Sequence, residues 1–264
     1  SRWDYDYTGE HLEQLKDKVV GIIGTGASAV QIVPELAKTA KEVFVFQRTP
    51  SSIDVRDDWP TDPNWARKLK PGWQQKRREK VLAAVENSLE KRAAKGATSP
   101  EEKLRKQENA NIDYMMRIHR RIDEIVADPA TADALKPWYM FMCKRPCFHD
   151  EYLGTFNREN VTLVDSDGKG IQGIEKSEII VNGEKYPVDC IIFATGFDFF
   201  PDINRRLQCK IIGQENIEIS EKWKDGVSTL FGIHSQGFPN CFILGNKQST
   251  ATINFTHTLH EQAK

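Results

Sequence analysis

Val19 to Ile23 is an apolar run that leads into the turn Gly24-Thr25-Gly26, and from Ala27 to Ala40 the apolar positions recur at helical spacing. That succession predicts a strand, a tight turn and a helix. A second short apolar stretch, Val43 to Phe46, follows at once and predicts a strand parallel to the first, because parallel neighbours need a crossover helix between them. From about residue 59 to 137 the texture changes. Runs such as QQKRREK and SPEEKLRKQE interleave acids and bases at helical spacing, broken by Gly96 and Pro100. This pattern predicts helices with solvated faces rather than a nucleic-acid patch, and hence a helical insertion. Strand patterns return at Val161 to Val164, Glu178 to Val181 and Tyr186 to Ala194, the last two separated by the hairpin dipeptide Asn182-Gly183. Turn-rich connections follow, then a strand at Cys241 to Leu244 and a helix beginning near Asn254. There is no internal repeat or low-complexity tract.

Composition narrows this α/β picture. Lys and Arg total 37 against 38 Asp and Glu, a formal charge of -1. No bulk attraction to nucleic acid or an anionic membrane follows, and any positive site must be local. No run approaches the roughly 20 apolar residues of a membrane span, and the opening SRWDYDYTGE lacks the basic and apolar regions of a signal peptide. A cytoplasmic protein is the expectation. The five cysteines, Cys143, Cys147, Cys190, Cys209 and Cys241, have no CxxC spacing and read as reduced, mainly packing residues. The histidines form no HExxH, so no metal site is expected, and no GxSxG nucleophile elbow occurs.

Gly24-Thr25-Gly26-Ala27-Ser28-Ala29 has the form GxGxxA between a strand and a helix. The first glycine permits the tight turn, the second lets backbone approach a pyrophosphate, and Ala29 allows close packing of helix on strand. The end of the second strand then distinguishes cofactors. An NAD site usually offers Asp or Glu to the ribose there, whereas a 2′-phosphate needs a cation. This chain offers Gln47-Arg48-Thr49, which favours NADP(H): Arg48 can clamp the phosphate and Thr49 can donate from its hydroxyl. The plainer alternative for Arg48 is a solvated strand-end residue.

GTGASAVQIVPELAK followed by VFVFQRTPS resembles the NADPH-binding half of class B flavoprotein monooxygenases, particularly type I Baeyer-Villiger monooxygenases. The resemblance continues through Cys143-Lys144-Arg145-Pro146, FNRENVTLVD, Ala194-Thr195-Gly196-Phe197, GFPNCFILG and NFTHTLHEQA, and so covers nearly the whole chain. It implies a Rossmann-type NADP-binding domain with a helical insertion, plus part of a C-terminal FAD domain. The implied boundaries are a linker over 1–13, the NADP-binding domain over 14–200 with the insertion at about 60–137, and the flavin-domain segment over 201–264. It also implies FAD and NADP(H) as cofactors, and a small-molecule ketone and O2 as reactants, one oxygen being inserted to give an ester or lactone.

Within the resemblance Gln31 joins the nucleotide contacts, and Lys144 matches a second contact to the 2′-phosphate. Arg145 matches the catalytic arginine, whose family role is to stabilise the anionic peroxyflavin and the oxyanion formed with the ketone. A permanently charged, multi-donor guanidinium suits such an anion. Thr195 and Gly196 mark the return toward the flavin domain. Asn254 would open a helix whose positive end suits the electron-rich pyrimidine edge of reduced flavin, its plainer reading being a helix N-cap. Trp3-Asp4 matches the last two positions of the family fingerprint FxGxxxHxxxW followed by Pro or Asp. The earlier GxGxxG turn for FAD has no counterpart here, so the chain is expected to be a fragment that binds FAD poorly and is inactive alone. Two alternatives stay open: an N- or S-oxidising flavin-containing monooxygenase, and a noncatalytic NADP-binding module.

Overall fold

The computed structural model describes residues 3–94, 99–141, 143–197, 203–244 and 255–263. The chain gathers into two compact units, Ser1–Gly196 and Phe197–Lys264. The first opens with a short helix α1 (Tyr5–Thr8), then strand β1 (Val19–Ile23), helix α2 (Ala27–Thr39) and strand β2 (Glu42–Gln47). A two-residue strand β3 (Ile53–Asp54) precedes helices α3 (Pro63–Arg67), α4 (Trp73–Ala94), α5 (Pro100–Ile125) and α6 (Pro129–Leu135). Strand β4 (Cys147–Phe148), helix α7 (Tyr152–Thr155) and strand β5 (Val161–Asp165) follow, then β6 (Gly173–Glu175), β7 (Glu178–Val181), β8 (Glu184–Pro187) and β9 (Cys190–Phe193).

The central sheet has four strands in the order β5-β2-β1-β9, all parallel. Successive strand side chains point to opposite faces, and the two faces meet different covers. Val20, Ile22, Val43 and Val45 point toward α2, which buries Ala29, Val30, Val33, Leu36 and Ala37 against them. Ile23, Phe46 and Val164 point the other way, toward the antiparallel sheet β6-β7-β8. There Tyr186 sets its ring edge-on to Phe44 and Phe46, with centroids 5.4 and 5.5 Å apart. The Asn182-Gly183 hairpin has φ of 51° and 82°, the left-handed pair a two-residue turn demands.

The predicted strand at Tyr186 to Ala194 divides in two. Val188 donates its N–H to the Ser177 carbonyl, and the next residue, Asp189, bonds Val19 through its backbone N–H and its carboxylate. The chain thus leaves one sheet and enters the other between β8 and β9.

The helical insertion is more than a solvated appendage. Alongside its charges, α5 carries Met115, Ile118 and Ile122 at spacings of three and four, and this stripe is buried. Ile118 and Ile122 join Leu135 of α6 and Tyr152 and Leu153 of α7 in the core under the sheet. Ser99 caps α5 by accepting from Glu102 N–H, and Pro100 occupies the first turn, where a missing N–H costs nothing. Asp128 and Pro129 start α6 in the same way.

The second unit contains helices α8 (Ile203–Leu207), α9 (Ile219–Lys222) and α10 (Phe255–Gln262), with a small core of Ile219, Trp223, Phe238 and Ile243. Cys241 to Leu244, predicted as a strand, is irregular. Ile243 donates to the Ile233 carbonyl and buries its side chain, but no extended neighbour lies alongside to form a ladder among the described residues. All five cysteines are free, and Cys143 and Cys209 are exposed, so the packing role expected for the set does not extend to those two. Among the described residues no helix is long and apolar enough to cross a membrane.

Candidate functional site

The loop between β1 and α2 shows why its two glycines differ. Gly24 has φ of 106°, and a Cβ there would lie 2.6 Å from the Ala194 carbonyl oxygen. Both its backbone angle and its neighbour exclude a side chain. Gly26 has φ of -77° and ψ of -172°, an extended conformation open to any residue, and a Cβ there would meet nothing within 4 Å. It stands at the N-cap of the 13-residue α2 without a side-chain cap, so the first-turn N–H groups face open space. Ala27 and Ser28 are exposed beside it, whereas Ala29 is fully buried against the sheet. Gln31 is exposed, and its amide donates back to the Ala27 carbonyl at 2.8 Å.

This loop is laced to the end of β2. The buried Thr25 donates its hydroxyl to the Thr49 carbonyl at 2.8 Å, and Ser51 donates to the Thr25 carbonyl at 2.6 Å. Gln47 is 1% exposed, its amide bonded to the Ala134 carbonyl at 2.7 Å and to Asp165 Oδ2 at 3.2 Å. Arg48, next along, is exposed and borders a pocket of about 360 Å³ that also contains Lys136 and Trp138 and three carboxylates, Asp133, Asp165 and Asp167, none of them within ion-pair distance of Arg48.

Lys144 and Arg145 arrive from far along the sequence. The parallel pair β3–β4 aligns Ile53 with Cys147 and Asp54 with Phe148, and so brings the CKRP turn back to the end of β2. Partial burial, and then the charge of Arg48, lower the pKa of Lys144. The charge of Arg48 thus reaches Lys144 across the turn that β3 and β4 bring together. Among the described residues neither Arg48, Lys144 nor Arg145 forms an ion pair with a carboxylate. Arg145 is exposed; burial raises the Cys147 thiol, and the positive charge of Arg145 opposes that rise.

The insertion grips this turn through contacts that the sequence pattern did not reveal. Asp54, 7% exposed, accepts two bonds from Arg117 at 3.0 and 2.6 Å and one from the Tyr114 hydroxyl at 3.0 Å. Arg121 donates to the Ile53 and His149 carbonyls at 3.3 and 3.2 Å, one bond on each side of the β3–β4 pair. Asn111 bonds Phe141 in both directions at its backbone. Tyr139 accepts from Ser52 N–H and donates to the Pro50 carbonyl.

Thr195 and Gly196 follow β9, and the contact of Ala194 with Gly24 sets their turn against the glycine loop. Trp3 donates its indole N–H to the Thr8 hydroxyl at 2.9 Å, and Asp4 caps α1, so both have local structural partners. Asn254 lies outside the described residues, just before α10.

Parallel strands, a glycine turn and an uncapped helix start define the class, a Rossmann-type α/β protein. No protein-family model matches the chain. It is 44% identical over 290 residues to pentalenolactone D synthase of Streptomyces exfoliatus, covering 100% of this chain and 50% of that protein. With Baeyer-Villiger monooxygenase 4 of Dietzia sp. it shares 42% identity over 292 residues, covering 100% of this chain and 47% of the relative. Among solved structures, a polycyclic ketone monooxygenase from the thermophilic fungus Thermothelomyces thermophila superposes with a TM-score of 0.81 at 37% identity, over 98% of this chain and 47% of that one. An oxidised steroid monooxygenase bound to NADP gives a TM-score of 0.76 at 26% identity, over 99% of this chain and 54% of that one. The chain is similar over its whole length to Baeyer-Villiger monooxygenases and spans about half the length of the curated relatives it matches.

Proposed function

We propose that the chain is the nicotinamide-nucleotide half of an NADPH- and FAD-dependent monooxygenase that inserts one oxygen atom of O2 into a ketone to give an ester or lactone. The observation that carries this reading is the β3–β4 pairing, which returns the turn bearing Lys144 and Arg145 to the end of β2 where Arg48 stands, with neither Arg48 nor Lys144 ion-paired to a carboxylate among the described residues. Two cations with no ion-paired carboxylate among the described residues suit an anion, and the likeness to a steroid monooxygenase solved with NADP points to a 2′-phosphate as that anion.

The residues fit one dinucleotide. A Cβ would fill the open space over Gly26, which suits a pyrophosphate resting on the first-turn N–H groups of Gly26, Ala27 and Ser28. Gly24, Thr25 and Ala29 shape the turn, Gln31 borders it, and Arg48, Thr49 and Lys144 would take the 2′-phosphate. Thr195, Gly196 and Asn254 are the proposed contacts to FAD. When bound, NADPH supplies hydride and the flavin supplies the means of activating O2. Arg145 then acts as a fixed positive charge. Its planar, multi-donor guanidinium can donate hydrogen bonds to an oxygen on which negative charge develops.

We also propose that residues 1–13 form a linker, 14–200 the nucleotide domain with its insertion at about 60–137, and 201–264 part of the flavin domain. Five free cysteines suit a cytoplasmic setting.

The test is assay of the full-length, flavin-loaded protein with NADPH, O2 and a panel of ketones. Ester or lactone formation that disappears in Arg145→Ala, with NADP binding retained, is the expected result. Oxidation of amines or sulfides alone would move the protein to the sister class, and absence of any NADPH-dependent O2 uptake would make it a binding module.

A further inference from the structure

Tyr139 stands where the insertion hands the chain back to the CKRP turn. Its hydroxyl accepts from Ser52 N–H at 3.1 Å and donates to the Pro50 carbonyl at 3.0 Å. These two bonds tie it to the segment that continues from Arg48 and Thr49. Its ring, meanwhile, lies under the Lys144 ammonium, with Nζ 5.4 Å from the centroid. A cation over an aromatic face at this distance is attracted by the ring quadrupole. The exposed Trp138 meets the same ring edge-on, centroids 6.0 Å apart. One side chain therefore holds both halves of a cation pair, one through hydrogen bonds to backbone and one through its π face.

Such a holder matters because Arg48 and Lys144 carry like charge at the two ends that the β3–β4 pair brings together. Burial and the charge of Arg48 both disfavour the charged form of Lys144, and among the described residues no carboxylate compensates. Lys144 is exposed and its stem is long and flexible, so the ring of Tyr139 is the contact that restricts where its ammonium sits. The Tyr139 hydroxyl stays protonated, since burial raises its pKa, and it can keep donating to Pro50 throughout the working pH range.

We propose that Tyr139 is a positioning residue for nucleotide specificity: by holding Lys144 beside Arg48 it sets the preference for a nucleotide that carries a 2′-phosphate over one that does not. This rests on the nucleotide reading above. Tyr139 touches no phosphate itself and acts through Lys144. Its removal should therefore spare the part of the affinity that both nucleotides share.

The experiment is calorimetric titration of the full-length, flavin-loaded protein with NADP+ and with NAD+, comparing wild type, Tyr139→Phe, Tyr139→Leu, Lys144→Met and the double variant Tyr139→Leu/Lys144→Met. Losing a cation–π contact to an exposed lysine should weaken NADP+ binding about two- to five-fold in Tyr139→Leu while leaving NAD+ unchanged. Tyr139→Phe keeps the ring and should lose less. The double variant should be no weaker than Lys144→Met, because both changes remove the same contact. Equal weakening of both nucleotides by Tyr139→Leu and Tyr139→Phe would mean a merely structural role and would overturn the proposal. So would an unchanged NADP+ preference in both Tyr139 variants while Lys144→Met loses it, although the site reading would then stand. If Lys144→Met itself leaves the preference unchanged, the site reading and the proposal both fall.

Discussion

The glycine loop and the turn after β9 touch at one point: a Cβ on Gly24 would lie 2.6 Å from the Ala194 carbonyl oxygen. The contact is backbone on one side, so no rotamer change can relieve it. The φ of 106° adds strain for any L side chain. Gly24→Ala is therefore expected to lower stability by about 2 to 3 kcal/mol, from backbone strain and overpacking together. Urea unfolding of the purified variant checks this, and a midpoint equal to wild type would show that the turn tolerates a shift.

Gly26 should behave in the opposite way. Its backbone is extended and a Cβ there meets nothing. The stability of Gly26→Ala should stay within about 0.5 kcal/mol of wild type. NADP+ affinity should fall by about ten-fold or more, since the methyl occupies the approach to the helix N–H groups. Titration with NADP+ beside an unfolding curve separates the two effects, and unchanged affinity would place the pyrophosphate elsewhere.

Gln47 explains why this strand end carries no acid. Its amide donates to the Ala134 carbonyl and to Asp165, all in a place 1% exposed. Gln47→Glu would set a carboxylate against two acceptors with little access to water. It should destabilise the fold by about 2 to 4 kcal/mol, the range expected when a buried polar contact becomes an unpaired charge. Gln47→Met should cost less, leaving only the Ala134 and Asp165 acceptors without a donor. Equal unfolding midpoints for the two variants would contradict this account.

The β-α-β unit and the nucleotide loop were legible because they are local: five apolar residues, a GxGxxA turn and a helical period stand next to one another in the chain. Other features were hidden for identifiable reasons. The apolar stretch over Tyr186 to Ala194 carries no local mark of the point where the chain changes sheets, because the bonds of Val188 and Asp189 that make it go to distant backbone. The buried stripe Met115, Ile118 and Ile122 has helical spacing, yet it lies in a helix whose charges dominate the pattern. Arg48 and Lys144 could be paired only through family resemblance. The device that joins them is a ladder of two residues per strand, β3 with β4, too short to leave a periodicity. Tyr139 and Asp54 gave no signal, since neither belongs to a motif.

Asp54 makes the docking of the insertion sensitive to acid. Burial pushes its carboxyl up, but the hydrogen bonds from Arg117, Val55 N–H and Tyr114 outweigh burial and hold it below its ordinary value of 3.8. A carboxylate with a depressed folded-state pKa contributes stability that is fully present above the unfolded value, and loses it as pH falls through the folded value. The contribution should thus be constant from neutral pH down to about 5 and should decline from about pH 4 downward. Arg117→Met leaves the carboxylate at 10% side-chain exposure without its charge partner, and should cost about 2 kcal/mol at pH 7. Asp54→Asn removes the titrating group altogether, so its deficit relative to wild type should be largest near neutrality and shrink as pH falls from 4 toward 3. Urea midpoints of the three proteins at pH 7, 5, 4 and 3 follow this directly. A deficit in Asp54→Asn that stays constant across the series would mean that the loss lies in packing or hydrogen bonding rather than in the charge of Asp54, and the docking of α5 onto β3 would then be insensitive to protonation.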